Sequence, residues 1–515
     1  MLETGQHLYQ PVRYSRSQKE WFTSITELTR GGESKLSFDV SAIMSILAFN
    51  YPCGNRTIFR EIKRQPWLST ISEHGNAVCE SIPSHGFLWD KTERIADNLN
   101  ALLQEEAKRA CYNRKEVYLL LSGGLDSRII ACVLHQLRQK GLLDVNPIGL
   151  TWGLEDSRDV QYGKAVAEIL GFDWKHIRVM PECLIHNIHD GFPLIGGLLS
   201  PSHLHQMLWF QDNVSKEALV LAGSYGDSIG RAEFAGKHLL ELDFHRPFNP
   251  FNLIKQDCFP QALLGVQDDL RLLHQRVGQA SPDYALCEIE MQCHYMRGMI
   301  SHAMNVVNNW CTLYQMFTDP KVYTYMWSLH PSRRDDSIYA ALLEKYSPSL
   351  ARLPWARTNK SLRGRTIGAQ RGLRKEFHNY TNWVSLQLYN KIEPIVDPEW
   401  YESIGVFNAA QIHLLNKAIA PGSRLLKGYG AQCYNTWLWL ASFRLMIEKL
   451  QAGNTSVHSI QQEATKVDLP YYPKKSTSVR RKLRNVPLFY KWFCYSRKTF
   501  AKIRAFVKWP VVRVK

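Results

Sequence analysis

The residues best equipped for chemistry are the eight from Leu121 to Arg128, LSGGLDSR. They follow a continuous apolar run, Val117 to Leu121, and precede a helix-forming stretch, Ile129 to Gln139. A turn between a buried strand and a helix aims main-chain N–H groups and the positive end of the helix at one point, which makes an anion site. Gly123 and Gly124 let the backbone approach a phosphate where a Cβ would obstruct it. Ser122 and Ser127 add hydroxyl donors, and Asp126 adds a carboxylate that Mg2+ can bridge to phosphate oxygens. A Walker A loop needs Gly-Lys-Ser or Gly-Lys-Thr, and a dinucleotide fingerprint needs G-x-G-x-x-G; the chain has neither here.

Such a loop acts only when a sheet positions it. From Val117 onward, apolar strands alternate with amphipathic helices, the pattern of a parallel sheet covered on both faces. Strands are expected at Val117 to Leu121, Ile148 to Trp152, Trp174 to Val179 and Ala218 to Ala222. The helix after the second strand, with Asp159 as its expected N-cap, puts Tyr162, Ala165, Val166 and Ile169 on one face and stops at Gly171. After about residue 260 the pattern is mainly helical and includes a Trp-rich helix from Thr436 to Leu450. The fold class expected is therefore α/β, a doubly wound parallel sheet followed by a mainly helical half. Upstream, Phe38 to Trp89 is broken by Pro-Cys-Gly, Gln-Pro and Ser-His-Gly, which predicts a small irregular or β-containing segment. Three parts follow: an N-terminal segment over 1–95, the α/β and helical body over 96–455, and a tail over 456–515.

A chain of 515 residues with 45% apolar content exceeds a single hydrophobic core. No apolar run reaches the roughly 18 residues that span a bilayer, and Met1 to Glu20 lack the pattern of a signal peptide, so a cytoplasmic location is expected. The eleven cysteines are scattered and form no C-x-x-C pair. Cys183, His186 and His189, with Asp190 beside them, have a metal-like composition, but an i, i+3, i+6 series drifts around a helix and does not converge. Charge is concentrated at one end. Fourteen of the 63 Lys and Arg residues lie in 474–515, which has no Asp or Glu, leaving 49 basic against 47 acidic residues in the rest. In that tail Phe489, Trp492, Phe493, Phe500, Ile503, Phe506 and Val507 recur mostly at three- and four-residue intervals among cations. A helix there would suit an anionic membrane surface, giving a peripheral association with its inner face; RNA is the second partner such a pattern fits.

The Ser-Gly-Gly-x-Asp-Ser string resembles the pyrophosphate loop of the N-type ATP pyrophosphatases, and its surroundings resemble the synthetase domain of the asparagine synthetase family. TWGLEDSRD, Thr151 to Asp159, is similar to that family's adenine-side strand. LAGSYGD, Leu221 to Asp227, stands in place of its Ser-Gly-x-Gly-x-Asp motif. PWARTNK, Pro354 to Lys360, is similar to the segment that bears its late lysine, and LAFNYPCGNRTIFREIKRQP from Leu47 to the connector before the synthetase half. The resemblance implies ATP and Mg2+ as cofactors. It places Leu121, Trp152, Ala222 and Gly223 around adenosine, Ser122, Gly123, Gly124, Asp126 and Ser127 on the phosphates, Asp126 and Asp227 on the metal, and Lys360 in catalysis. The implied reaction is adenylation of a carboxylate, with release of pyrophosphate, and transfer of the acyl group to ammonia or an amine.

Three departures qualify the resemblance. The first cysteine is Cys53, so the N-terminal thiol of a glutaminase is not seen, and ammonia from a separate subunit is an expected source. Ser228, Ile229 and Gly230 replace the usual Glu-Leu-Phe. The family's acidic residue before Pro-Phe-Leu-Asp is not visible in TLYQMFTD, Thr312 to Asp319, although Phe317 and Asp319 fit. The acceptor could be a small-molecule or a peptide carboxylate. Two alternatives are a tRNA-modifying enzyme built on the same loop and a non-catalytic ATP-binding module. Carboxylate-dependent exchange of pyrophosphate into ATP separates the ligase from both.

Overall fold

In the computed structural model the described residues are 7–29, 34–236, 249–278, 281–362, 372–423, 430–453 and 455–458. The tail pattern of 474–515 lies outside them. The core is a five-stranded, wholly parallel sheet: β1 (Val117–Leu120), β2 (Ile148–Gly153), β3 (Asp173–Arg178), β4 (Leu219–Ala222) and β5 (Thr312–Gln315), in spatial order β5-β4-β1-β2-β3. Leu119 pairs with both Gly149 and Leu221, and Tyr314 pairs with Leu221. All four residues of β4 are buried, as expected where helices cover both faces.

The strand order reverses direction at β1, between β2 on one side and β4 on the other. That topological switch opens a crevice beyond the carboxyl ends of β1 and β4, where ligands bind in sheets of this kind. The doubly wound class read from the strand pattern is thus the observed one. The strand β5 was not anticipated, because TLYQ alternates only briefly before a turn.

The helices that matter to the crevice are α1 (Thr92–Cys111), α2 (Leu125–Gln139), α3 (Arg158–Leu170) and, late in the chain, α4 (Asp336–Tyr346). The N-cap of α3 is Ser157, whose side chain accepts from the Val160 N–H; Asp159 sits inside the first turn, which corrects the expected cap. Gly171 ends α3 in the left-handed region at φ 64°, as its position predicted. The Trp-rich helix runs over Gly430–Ala452 and buries Trp437 and Trp439.

The N-terminal segment contains a ten-residue helix, Val40–Phe49, capped by Asp39. It escapes periodicity analysis because residues 40–47 are buried on every side. Phe38 and Phe59 stack at 6.1 Å, and Phe38 also meets Phe443 at 5.5 Å, so this segment packs on the Trp-rich helix. Arg56 bridges Asp39 at 3.0 Å and Asp269 at 2.6 Å, tying it to the helix Phe259–Val277. Among the described residues no helix is long and apolar enough to cross a membrane.

Candidate functional site

The loop after β1 is held by its own hydroxyls. Ser122 Oγ accepts from the Gly124 N–H at 3.1 Å and lies 3.2 Å from Ser127 Oγ, which in turn accepts from the Ser122 N–H at 3.2 Å. Gly124 begins α2 with no side-chain cap, which leaves the first-turn N–H groups to be met from outside the helix. A positive helix end with free donors is an anion site.

The glycines have a second role. A Cβ on Gly123 would lie 2.8 Å from Ala356 Cβ, 2.9 Å from Arg158 O and 3.0 Å from Tyr162 Cβ. Gly123 is therefore a packing glycine, wedged between α3 and a segment over two hundred residues away. That segment, Pro354 to Lys360, docks directly on the loop: the Ala356 N–H donates to Gly123 O at 3.0 Å, and the Tyr162 hydroxyl bonds Asn359. Arg128, fully buried, fastens the same joint. Its Nη1 donates to Leu350 O and Leu353 O, and its Nη2 to Gly123 O and Pro354 O. The main chain of Lys360 closes a turn with Trp355 at 2.9 Å, and its side chain is exposed.

The segment after β4 packs on the other side of the loop. A Cβ on Gly223 would lie 3.0 Å from Asp126 C, and one on Gly226 only 2.4 Å from Asp126 Oδ1. Asp126 and Asp227 are thereby brought to one place. Asp227 Oδ1 is shielded from water and has no hydrogen-bond partner. Burial, and then the neighbouring Asp126, push the Asp227 carboxyl up to about 7. Burial also pushes Asp126 up, against the pull of Arg231.

Arg231 was not among the sequence candidates. Its Nε and Nη2 lie 3.3 and 3.1 Å from the two oxygens of Asp126, and its Nη1 lies 2.9 Å from Asp336 Oδ1. The guanidinium sits between the rings of Tyr339 and Trp355, 5.5 and 5.6 Å from their centroids. The signal in the sequence was a cation four residues past Asp227, with only Ser228, Ile229 and Gly230 between them.

On the opposite side of β1, Leu121 is buried and the half-buried Trp152 faces His205 at 6.4 Å between ring centroids. His205, with φ 46°, bonds the Tyr380 hydroxyl through Nδ1 at 3.0 Å, and His378 stacks on Tyr380 at 3.9 Å. Burial lowers His205 well below its ordinary range and His203 and His378 to about 4, so this aromatic and imidazole wall is uncharged near neutrality. Residues 374–380 close over the end of β2: the Leu154 N–H donates to Phe377 O at 2.8 Å and the Arg158 N–H to Arg374 O at 2.9 Å. No sequence feature marked them. Ala222, buried at the end of β4, pairs with Gln315.

The other metal-like groups do not form a comparable site. Cys183 is buried while His186 and His189 are exposed on the same helical run. His7, Glu106 and Asp319 bring ligand atoms within 4.8 Å of one another, but Arg109 pairs with Asp319, whose other oxygen caps the helix Pro320–Ser328 at 2.9 Å. That cluster already carries its cation.

A doubly wound α/β domain with a glycine-rich strand-to-helix loop at its topological switch point is the class that this geometry defines. Residues 98–280 match the family model of asparagine synthase, so this part of the chain is similar to the synthetase part of that family. A probable glutamine-hydrolysing asparagine synthetase of Acanthamoeba polyphaga mimivirus is 33% identical over 102 residues. That match spans 19% of this chain and 18% of the viral protein.

Proposed function

We propose that the chain is an ATP-dependent amide ligase that adenylates a carboxylate and passes the acyl group to ammonia or an amine. The observation that carries this reading is the convergence of Asp126 and Asp227 beside the N-terminus of α2, with the 354–360 segment docked on the same loop. On this reading ATP lies across the switch point. Leu121, Trp152, Ala222 and Gly223 border the adenosine, while Ser122, Gly123, Gly124 and Ser127 face the phosphates. The unpartnered Asp227 oxygen beside Asp126 fits a divalent cation of the Mg2+ type, whose chemistry there is to neutralise charge on the phosphates.

A carboxylate oxygen attacks the α-phosphorus. The bond to the β-phosphate oxygen breaks and pyrophosphate leaves. The nitrogen nucleophile then attacks the acyl carbon, loses a proton, and expels AMP. The loop N–H groups stabilise charge that develops on the departing pyrophosphate, as oriented donors do without reorganisation. Lys360 supplies a mobile cation at the mouth of the site.

The test is exchange of labelled pyrophosphate into ATP across a panel of carboxylic acids, with Asp227→Asn as control. Acid-dependent exchange that the control loses supports ligation. ATP binding with no exchange for any acid, in the presence of ammonia and amines, favours a nucleotide-binding module. Exchange that depends on RNA favours tRNA modification.

A further inference from the structure

The segment after β4 continues as Ser228, Ile229 and Gly230, and the structure shows what the glycine accommodates. A Cβ on Gly230 would lie 2.2 Å from the Tyr339 hydroxyl, so the glycine lets the chain pass Tyr339 and turn Arg231 inward. Arg231 is then 5% exposed, held side-on by Asp126 and end-on by Asp336. The fork matches a carboxylate at two points, and two aromatic faces fix its plane, so its position is set from every side.

We propose that Arg231 is a resident counter-cation that competes with a divalent metal ion for Asp126, leaving Asp227 as the first protein ligand. This rests on the reading of Asp126 and Asp227 as the metal-facing pair. Both oxygens of Asp126 are engaged by the guanidinium, whereas Asp227 Oδ1 has no partner. Charge leads to the same division. Asp126, Glu233 and Asp336 lie within 4.0 Å of Arg231, Asp227 adds its charge nearby, and Arg357 pairs with Glu233 at 3.2 Å. Once all are ionised, four carboxylates exceed two guanidinium groups by two negative charges, which one divalent ion neutralises. An ion entering this site binds the open carboxylate first and gains Asp126 only by weakening its bonds to Arg231.

Binding of Mn2+ to the full-length protein, read from the spectrum of free Mn2+ without nucleotide and with a non-hydrolysable ATP analogue, tests this without turnover. Asp227→Asn should weaken Mn2+ at least about tenfold, and Asp126→Asn by less than about threefold, because a metal loses little when it loses a ligand already committed elsewhere. Arg231→Met should tighten Mn2+ in the absence of nucleotide by about tenfold, and Arg231→Lys, which keeps the charge but not the side-on fork, by about threefold. Arg231→Lys decides the matter if the methionine variant fails to fold. Equal losses in the two aspartate variants, or native Mn2+ affinity in Arg231→Lys and in any folded Arg231→Met, overturn the inference while leaving the metal pair intact. Native affinity in Asp227→Asn removes the metal-site reading itself, and the role of Arg231 with it.

Discussion

Gly226→Ala probes the joint between the two aspartates with a single methyl group. The added Cβ would lie 2.4 Å from Asp126 Oδ1 and 2.7 Å from both its Cβ and Cγ. Ordinary carbon contacts begin near about 3.5 Å, so separation by about an ångström is required. The Asp126 side chain cannot swing aside freely, because Arg231 holds its oxygens at 3.1 and 3.3 Å and those bonds would stretch beyond hydrogen-bond range. Overpacking of this kind costs about 1–3 kcal/mol, and weakening the ion pair adds about 1–2 kcal/mol. The total, about 2–5 kcal/mol, should appear in denaturant unfolding. Moving a charged group at the proposed phosphate site should lower pyrophosphate exchange on the order of a hundredfold. Gly141→Ala is the matched control: Gly141 has φ 65° with nothing within 4 Å of an added Cβ, so it should cost about 1 kcal/mol and leave nucleotide binding unchanged. A Gly226→Ala protein with native stability and native affinity for an ATP analogue would refute the packing argument.

Arg128→Lys should destabilise the protein by about 2–4 kcal/mol in denaturant unfolding, because a lysine cannot reach all four carbonyls that the buried guanidinium serves. Trp152→Ala should weaken ATP-analogue binding, measured by calorimetry, by about tenfold to a hundredfold, the worth of one base stacked on an aromatic ring. Glu106 gives a pH signature. Burial, then Asp319, hold its carboxyl well above the ordinary range, while Tyr314 and Arg109 pull it down and His7 lies beside it. The folded state thus holds a proton that the unfolded state releases, and stability falls as pH rises above the ordinary glutamate value. Glu106→Gln should therefore gain stability relative to the native protein at pH 8 but not at pH 4, as read from denaturation midpoints. For the basic tail, anionic liposomes at low salt should sediment the full chain but not one ending at Pro473; identical behaviour of the two excludes a membrane role for it.

Much of the site was legible because it is written locally. Ser122 to Ser127 form one string between one strand and one helix, and β1, β2 and β4 are short apolar runs ending at turn residues, so sequence distance and spatial distance agree. Gly171 was readable as a stop because a left-handed cap needs little context. Ser157 was passed over for Asp159 because both residue types cap helices and only the backbone decides between them. Arg231, the carbonyls that satisfy Arg128, and the 374–380 segment that closes over the end of β2 depend on contacts between segments far apart in the chain. No spacing rule reaches across such gaps. The helix Val40–Phe49 was hidden for a different reason: a helix buried all round has no polar face to give it a period.

The attachment of Arg128 bears on where the chain could be cut. The stretch that matches the family model ends at residue 280, yet the carbonyls that receive this buried guanidinium belong to Leu350, Leu353 and Pro354. The edge strand that pairs with β4 begins at Thr312, also beyond that limit. A fragment stopped at residue 280 would strip Arg128 of three of its four acceptors and expose one side of β4 to other chains. The smallest piece able to fold around the loop therefore extends at least through the 354–360 turn, and a shorter one should aggregate before it ever meets a nucleotide.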